Sequence, residues 1–142
     1  ATVKLKSPFF HCSWLGLITS SPSTKPTCVI AHGPSNGISE TQNKRLQVTG
    51  LAPYFNQVFV SEDTGYQKPM KPFFDYVFDH IPNFDPTKAM IIGDSYSADI
   101  TGGAVAGIDT CWLNPYQQKP VTNIRPTYTI EKLAQLVPLV KP

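Results

Sequence analysis

The stretch Ala89-Met90-Ile91-Ile92-Gly93-Asp94-Ser95-Tyr96-Ser97-Ala98-Asp99 joins an apolar run, a glycine and two carboxylates five residues apart. The apolar run is typical of a strand buried on both faces, as in the middle of a parallel sheet. Gly93 allows a sharp turn and lets a ligand approach the backbone, and Asp94 follows at the carboxyl end of the strand, where open α/β sheets bind ligands. Two carboxylates facing one point repel each other unless a cation lies between them, and Mg²⁺ prefers oxygen ligands. The alternative is a buried strand followed by an Asp that stabilises the positive end of its helix.

The composition is that of one globular domain. Of the 142 residues, 41% are hydrophobic and 15% are charged, which separates the chain from disordered proteins. Twelve basic and ten acidic residues give a net charge of +2, and because no dense basic cluster is present we expect neither nucleic acid nor a membrane surface as a partner. We also expect no membrane span and no secretory signal. Three cysteines are too few for a disulfide scaffold and favour a reducing, cytoplasmic environment.

From residue 39 onward, apolar runs alternate with helical patterns. Ser39-Glu40-Thr41-Gln42 has the form of a capping box and predicts the start of a helix. Strands are predicted over residues 57–61 and 110–113, and a short final helix over 130–137. A helix between these strands is marked by apolar side chains at intervals of three and four, namely Phe74, Val77, Phe78 and Ile81. The alternation predicts βαβ units and a parallel sheet.

The first 35 residues are less regular. One strand is predicted over residues 14–19, ending at the hydroxyl of Thr19, and a second over residues 28–31. Between them lies a segment rich in serine, threonine and proline, which is typical of a loop.

Three side chains are expected at one edge of the predicted sheet. Lys68 lies just beyond the carboxyl end of one strand, and Asp94 and Asp99 lie just beyond another. In a parallel sheet these ends share an edge, so a lysine and two carboxylates can converge there. Such a set suits a phosphate bound together with Mg²⁺. The alternative for Lys68 is an ordinary solvated loop lysine.

The block from Asn36 to about Val137 closely resembles the haloacid dehalogenase (HAD) superfamily of phosphatases, and within it the bacterial pyrimidine 5′-nucleotidases. The resemblance is carried by four stretches, 50–55, 61–69, 91–95 and 107–112. It implies a three-layer, Rossmann-like α/β core with a mostly parallel sheet.

The same resemblance implies roles for individual residues. Lys68 would hold the phosphoryl group and the nucleophile, Asp94 would be a Mg²⁺ ligand, and Asp99 would bind or orient the metal and its waters. The implied cofactor is Mg²⁺, and the implied substrate is a small phosphorylated molecule such as a nucleoside monophosphate.

Two expected parts of such a phosphatase are missing from the sequence. Members of the family begin with an Asp-x-Asp motif that supplies the nucleophile and the general acid/base, whereas this chain contains no Asp-x-Asp and no acidic residue before Glu40. The helical cap is also missing. We therefore expect residues 1–35 to be an irregular N-terminal segment and residues 36–142 to be the C-terminal part of a HAD core that is incomplete at its N-terminal side.

Three functional expectations follow from these departures. The first is a 5′-nucleotidase-like phosphohydrolase that is catalytically impaired because its nucleophile is not present. The second is a working enzyme whose nucleophile strand comes from another chain or from residues before Ala1, and the third is a non-enzymatic Mg²⁺-binding or regulatory α/β module. A missing strand also predicts self-association through the incomplete sheet, unless an N-terminal strand fills the gap.

The phosphate-binding hydroxyl has two candidates. In the resembled family an apolar strand ends in Thr and is followed directly by Asn-Gly, whereas here residues 20–35 separate Thr19 from Asn36 and Gly37. Either Thr19 binds phosphate with an insertion after it, or the strand over residues 28–31 replaces the family strand and Ser35 takes that role. By the resemblance, Asn36 and Lys68 bind phosphate in both cases. Thr19 is preferred because it directly ends the better strand.

Overall fold

A computed structural model of the protein describes residues 17–19, 27–32, 44, 47–48 and 57–139. These residues contribute six strands to a single sheet. The strands are β1 (Leu17–Thr19), β2 (Thr27–His32), β3 (Gln57–Val60), β4 (Ala89–Gly93), β5 (Asp109–Leu113) and β6 (Tyr128–Ile130). Their order across the sheet is β3-β2-β1-β4-β5-β6.

Short helices lie between the strands from β3 onward and after the last strand, β6. They are α1 (Ser61–Thr64), α2 (Lys71–Asp79), a 3₁₀ turn (Pro86–Lys88), a π-helical turn (Tyr96–Thr101), α3 (Gly102–Ala106) and a second 3₁₀ helix (Leu133–Leu139). Lys44, Gln47 and Val48 are also helical, within the helix that the capping box predicts. Among the described residues, no helix has the length and apolar character needed to cross a membrane.

The sheet is mostly parallel, as predicted. β2 pairs in parallel with β3, and β5 pairs in parallel with both β4 and β6. β1 is the exception in this set, since it runs antiparallel to both of its neighbours, β2 and β4. Leu17 lies between Val29 and Ile91, and Thr19 lies between Thr27 and Ala89. A strand from the N-terminal segment therefore fills the interior position, which was one of the two expectations for the incomplete sheet.

Strand β4 is buried along its whole length, and the reason is that both faces of the sheet are covered. On one face Ala89 and Ile91 pack with α2 in a large cluster, and on the other face Met90 and Ile92 pack with Cys111 and Ile130. Alternating side chains of a strand point to opposite faces, so a continuous apolar run is what a strand between two layers requires. The predicted doubly buried strand is confirmed.

Helix α2 covers one face of the sheet with the side chains that its periodicity predicts. Phe74 and Val77 are buried, Ile81 is buried just beyond the helix, and Phe78 is half-buried. Helix α3 approaches the same layer closely, because a Cβ atom added at Gly103 would overlap the side chain of Ile91. This packing holds the segment after β4 firmly against the sheet.

Two sequence-based boundaries are wrong. The sequence predicts that Ser61 ends a strand, but Ser61 begins α1. The sequence also predicts that the final helix starts at residue 130, whereas Tyr128–Ile130 forms β6 and the 3₁₀ helix starts only at Leu133. The physical reason is tertiary: Thr129 and Ile130 are β-branched and lie beside Trp112 and Leu113 of β5, so pairing at the sheet edge prevails over a weak helical pattern.

The predicted division at residues 35 and 36 lies outside the described residues. Both strands of the first segment nevertheless belong to the sheet that the later strands form, since β1 pairs with β4 and β2 pairs with β3. The strand predicted over residues 14–19 is described at 17–19, and the strand predicted over 28–31 extends over Thr27–His32.

Candidate functional site

Polar side chains converge at the carboxyl end of β4, as the sequence predicts. β4 ends at Gly93, Asp94 forms a bend, and Asp99 lies within the π-helical turn that follows. Lys68 reaches the same place from the loop between α1 and α2, because its ammonium group contacts Asp99. The structure therefore brings together three residues from two loops that are far apart in sequence.

Lys68 and Asp99 form a buried ion pair. The Lys68 Nζ donates a hydrogen bond to Asp99 Oδ1, and the two side chains are only 4% and 3% exposed. The second carboxylate oxygen, Asp99 Oδ2, accepts the backbone N–H of Ser95 at 3.2 Å. A buried charge is tolerated when it is paired and hydrogen-bonded, and both oxygens of Asp99 meet that condition.

The protonation of Asp99 is controlled by opposing effects. Burial raises the pKa of the Asp99 carboxyl, while the Lys68 ammonium and the Ser95 N–H limit the rise. The negative charge of Asp94 adds to the increase in the pKa of Asp99, which shows that the two carboxylates lie close enough to repel each other. A cation near Asp94 would relieve this repulsion and favour the ionised form of Asp99.

Gly93 makes room for the Asp99 carboxylate. A Cβ atom added at Gly93 would overlap Asp99 Oδ2 and the carbon that carries it. The sequence predicts that a ligand approaches the backbone at this glycine, whereas the group that does so in the structure is the side chain of Asp99.

The π-helical turn shapes the site. The backbone N–H groups of Asp99 and Ile100 both point to the Ser95 carbonyl, at 2.9 and 3.4 Å, and the second of these bonds spans five residues. The Ser95 Oγ accepts the N–H of Ala98 at 3.2 Å and so caps the turn. Widened turns of this kind occur often at functional sites. The sequence predicts an ordinary helix here, because local propensities do not distinguish a π turn from an α turn.

Asp94 presents an exposed carboxylate next to the buried pair. Its backbone carbonyl accepts a hydrogen bond of 3.1 Å from the indole Nε1 of Trp112 on β5. The sequence assigns Trp112 only to a strand, so this contact at the site is one that sequence reasoning missed. The signal that could have indicated this contact is an aromatic residue in the predicted strand over residues 110–113, which pairs with β4.

The donor set suits Mg²⁺ held together with a phosphate. Among the described residues no group of three or more His, Cys, Asp or Glu side chains is arranged to bind a metal. Mg²⁺ commonly binds through one or two carboxylates, with waters and substrate phosphates completing its octahedron. Asp94 is accessible as such a ligand, while Asp99 is already bound to Lys68 and Ser95. Of the two carboxylates, Asp94 is therefore the one with an oxygen free to face a cation.

The structure does not bring Thr19 to this edge. Thr19 pairs with Ala89 at the amino end of β4, four residues before Gly93, or about 13 Å along a strand. The preference for Thr19 as the phosphate-binding hydroxyl is therefore not supported. Ser35 and Asn36 lie outside the described residues, but β2 ends at His32 beside Val60, at the same edge as the carboxyl end of β4.

Comparison with known proteins shows which family this chain is similar to. Residues 34–113 match the family model of haloacid dehalogenase-like hydrolases. The chain is 57% identical over 102 residues to the HAD-hydrolase YfnB of Bacillus subtilis, covering 72% of this chain and 43% of that protein. It is 43% identical over 106 residues to the pyrimidine 5′-nucleotidase PynA of Streptococcus pneumoniae, covering 75% of this chain and 45% of that protein.

Solved structures agree with the sequence comparison. The crystal structure of the Bacillus subtilis YfnB protein bound to magnesium superimposes with a TM-score of 0.71 and 54% sequence identity, over 75% of this chain and 46% of that one. The chain spans less than half the length of the curated relatives named above. Because the family model covers more than half of its residues, this chain belongs to the haloacid dehalogenase-like hydrolases.

Proposed function

We propose that this chain carries the Mg²⁺- and phosphate-binding edge of a HAD phosphohydrolase, and that its 142 residues alone hydrolyse phosphate esters weakly or not at all. The observation that carries the proposal is the buried Lys68–Asp99 pair beside Gly93, with the exposed carboxylate of Asp94 on the same turn. A fixed ammonium group next to an accessible carboxylate is suited to bind an anion and a cation together.

Each residue of the edge has a distinct role in this proposal. Lys68 neutralises the phosphate oxygens by a charge-assisted hydrogen bond, and its contact with Asp99 restrains the long lysine side chain in one direction. Asp94 is the direct Mg²⁺ ligand, while Asp99 orients Lys68 and the waters of the metal. When bound, Mg²⁺ supplies charge neutralisation and orientation of the phosphate.

The absence of an acidic nucleophile from the sequence supports impaired catalysis. No Asp-x-Asp motif and no acidic residue before Glu40 is present. β1 takes the interior position next to β4, and its three residues, Leu17–Thr19, include no carboxylate. The described edge therefore offers groups that bind and position a phosphate ester but no carboxylate on the neighbouring strand to attack it.

The proposed substrate class is a small phosphate monoester, with nucleoside monophosphates as the first candidates. Two relatives at 43% and 40% identity are pyrimidine 5′-nucleotidases, from Streptococcus pneumoniae and Escherichia coli. The proposal keeps the reducing cytoplasmic setting that the sparse cysteines suggest. A non-enzymatic Mg²⁺-binding module remains the alternative, and it differs from the main proposal in binding no phosphate ester.

The test combines turnover with binding. Hydrolysis of uridine monophosphate and p-nitrophenyl phosphate is measured with Mg²⁺ for the unaltered chain and for Asp94→Asn, while calorimetry measures Mg²⁺ affinity. We expect no turnover above the Asp94→Asn background and a loss of about tenfold or more in Mg²⁺ affinity in that variant. Asp79→Asn, an exposed aspartate at the end of α2, is the matched control and should bind Mg²⁺ normally.

Other outcomes would discriminate among the alternatives. Turnover that Asp94→Asn abolishes would overturn the proposed impairment. Mg²⁺ binding without any binding of phosphate or uridine monophosphate would favour the non-enzymatic module, and a chain that binds no Mg²⁺ would overturn the metal assignment. Lys68→Met should weaken phosphate binding, whereas Lys71→Met, at an exposed lysine paired with Asp75, should not.

A further inference from the structure

The turn that carries Asp94 is supported from β5 by one side chain. Gly93 and Trp112 are register partners on the parallel strands β4 and β5. The Trp112 side chain reaches past this pair, and its Nε1–H donates a 3.1 Å hydrogen bond to the backbone carbonyl of Asp94. Trp112 is only 3% exposed while Asp94 is exposed, so this bond ties the exposed turn to the core.

This hydrogen bond falls where regular structure is interrupted. Asp94 is the bend between the end of β4 and the π-helical turn that starts at Tyr96. The Asp94 carbonyl is held by a side chain of the neighbouring strand instead of a backbone partner. The indole N–H therefore holds the peptide group between Asp94 and Ser95, next to the Cα atom that carries the Asp94 side chain.

The indole is itself held in place. Tyr96 packs edge-on against Trp112, with ring centroids 4.7 Å apart and an interplanar angle of 79°. Together with Ile100 these residues form a separate buried cluster beneath the turn. The Tyr96 hydroxyl donates to the carbonyl of Ile124, in the loop before β6. A donor locked by such packing can fix a backbone carbonyl in one orientation.

We infer that Trp112 is a positioning residue for the metal site, with its indole N–H holding the Asp94 peptide so that the Asp94 carboxylate points toward Mg²⁺. This inference rests on the proposed role of Asp94 as the Mg²⁺ ligand. Trp112 does not touch the metal or the phosphate in this arrangement. Its effect passes through the backbone of one residue, in the way that outer hydrogen-bond partners orient metal ligands.

The test replaces the indole with a ring that lacks the donor. Trp112→Phe retains an aromatic side chain against Tyr96 but removes the N–H together with part of the buried ring, so its melting temperature is measured beside its Mg²⁺ affinity. We expect calorimetry to show Mg²⁺ affinity about tenfold weaker in this variant. The matched control is Tyr116→Phe, which removes a hydroxyl group from an exposed side chain outside the cluster of Tyr96, Ile100 and Trp112, so its Mg²⁺ affinity should be unchanged.

A second measurement needs no substitution at Trp112. The chain has two tryptophans, and in the chain labelled with ¹⁵N-tryptophan the indole signal of Trp112 is assigned with the Trp14→Phe variant. We expect Mg²⁺ to shift the Trp112 signal in the unaltered chain and to leave it unshifted in Asp94→Asn. This readout is available even where Trp112→Phe fails to fold, and a Trp112 signal that stays unshifted when the unaltered chain has bound Mg²⁺ would overturn the inference.

The outcomes separate this inference from the proposed function. If the unaltered chain and Trp112→Phe bind Mg²⁺ equally while Asp94→Asn does not bind it, the positioning role is wrong and the metal assignment stands. A lower melting temperature for Trp112→Phe with unchanged Mg²⁺ affinity identifies a purely structural tryptophan and also overturns the inference. If the unaltered chain binds no Mg²⁺, both the proposed function and the inference fail.

Discussion

β1 and β4 are neighbours in the sheet, but they deliver their last residues to opposite edges. β4 runs toward the edge where Lys68, Asp94 and Asp99 meet, and β5 and β6 run parallel to it. β1 runs the other way, so Thr19 lies beside Ala89, where β4 begins. Both strands are apolar runs that end at a residue suited to a turn or a ligand, yet only one of them leads to the site.

The difference shows that strand direction decides where chemistry can occur. An apolar run has the same hydrophobic pattern whichever way the chain enters the sheet, because side chains alternate between faces in either direction. In β4 the direction is fixed by the neighbouring βα unit, since parallel neighbours need a crossover connection. In β1 a short connection to β2 permits an antiparallel pair, and Thr19 is carried away from the site.

The largest effect is expected from separating the buried pair. Lys68→Met leaves the Asp99 carboxylate buried without its partner and should lower the free energy of unfolding by about 4 kcal/mol at pH 7. The control Lys71→Met, which breaks an exposed pair with Asp75, should change it by less than about 0.5 kcal/mol. Urea unfolding at fixed pH measures both.

The pH dependence of this variant gives a second check. Burial already raises the pKa of Asp99 above 3.8, and the loss of Lys68 should raise it further. A carboxyl group with a raised pKa stabilises the folded state at low pH and loses that contribution as the pH rises through its folded-state pKa. The deficit of Lys68→Met should therefore shrink toward acid pH, and a deficit that does not vary with pH would contradict this account.

Gly93→Ala should have the next largest effect, because it disrupts the end of β4 without changing any charge. The added Cβ would overlap the Asp99 carboxylate, and we expect a loss of about 3 kcal/mol in unfolding free energy. Gly65→Ala is the comparison, since its Cβ would meet no atom within 4 Å but its φ is +71°, so it should cost about 1 kcal/mol. Equal losses in the two variants would show that the space at Gly93 is not needed.

The titration of the Cys111 thiol on β5 tests how well the parallel part of the sheet, β4 to β6, is buried. Burial raises the pKa of its thiol from 9.0 to about 11. Because the folded state retains this proton more strongly, the thiol makes its full contribution to folding stability below pH 9. This contribution is lost as the pH rises through 11. We expect stability to fall by about 2 kcal/mol more between pH 9 and 11 in the unaltered chain than in Cys111→Ala. Parallel curves for the two proteins would contradict burial of the thiol.

The smallest effect is expected at β1. Thr19→Val should leave the affinity for inorganic phosphate in the presence of Mg²⁺ unchanged, because Thr19 lies at the far edge of the sheet. Ser35→Ala should weaken it by about fivefold, the loss of one hydrogen bond, if Ser35 supplies the phosphate-binding hydroxyl. Weaker phosphate binding in Thr19→Val would contradict the antiparallel placement of β1 beside β4.

Local sequence patterns were sufficient to predict the parts of the protein that are marked by apolar periodicity or by a single glycine. The doubly buried β4, the buried face of α2 and the close approach at Gly93 all follow from the spacing of apolar residues and one glycine. The expected convergence of Lys68 with Asp99 follows from the rule that parallel strands share a carboxyl edge. These features depend on sequence neighbours and on a general property of sheets.

Tertiary structure alone decided the direction of β1, the pairing of β6 with β5, the π-helical turn and the contact of Trp112 with Asp94. Each depends on residues distant in sequence: a strand takes its direction from its partners, and a side-chain donor finds a backbone carbonyl only after two strands have paired. The amino-acid sequence by itself therefore determined the family, the mostly parallel sheet and the charged edge. Which hydroxyl could reach that edge was decided by strand direction, because an apolar run carries no information about its own orientation.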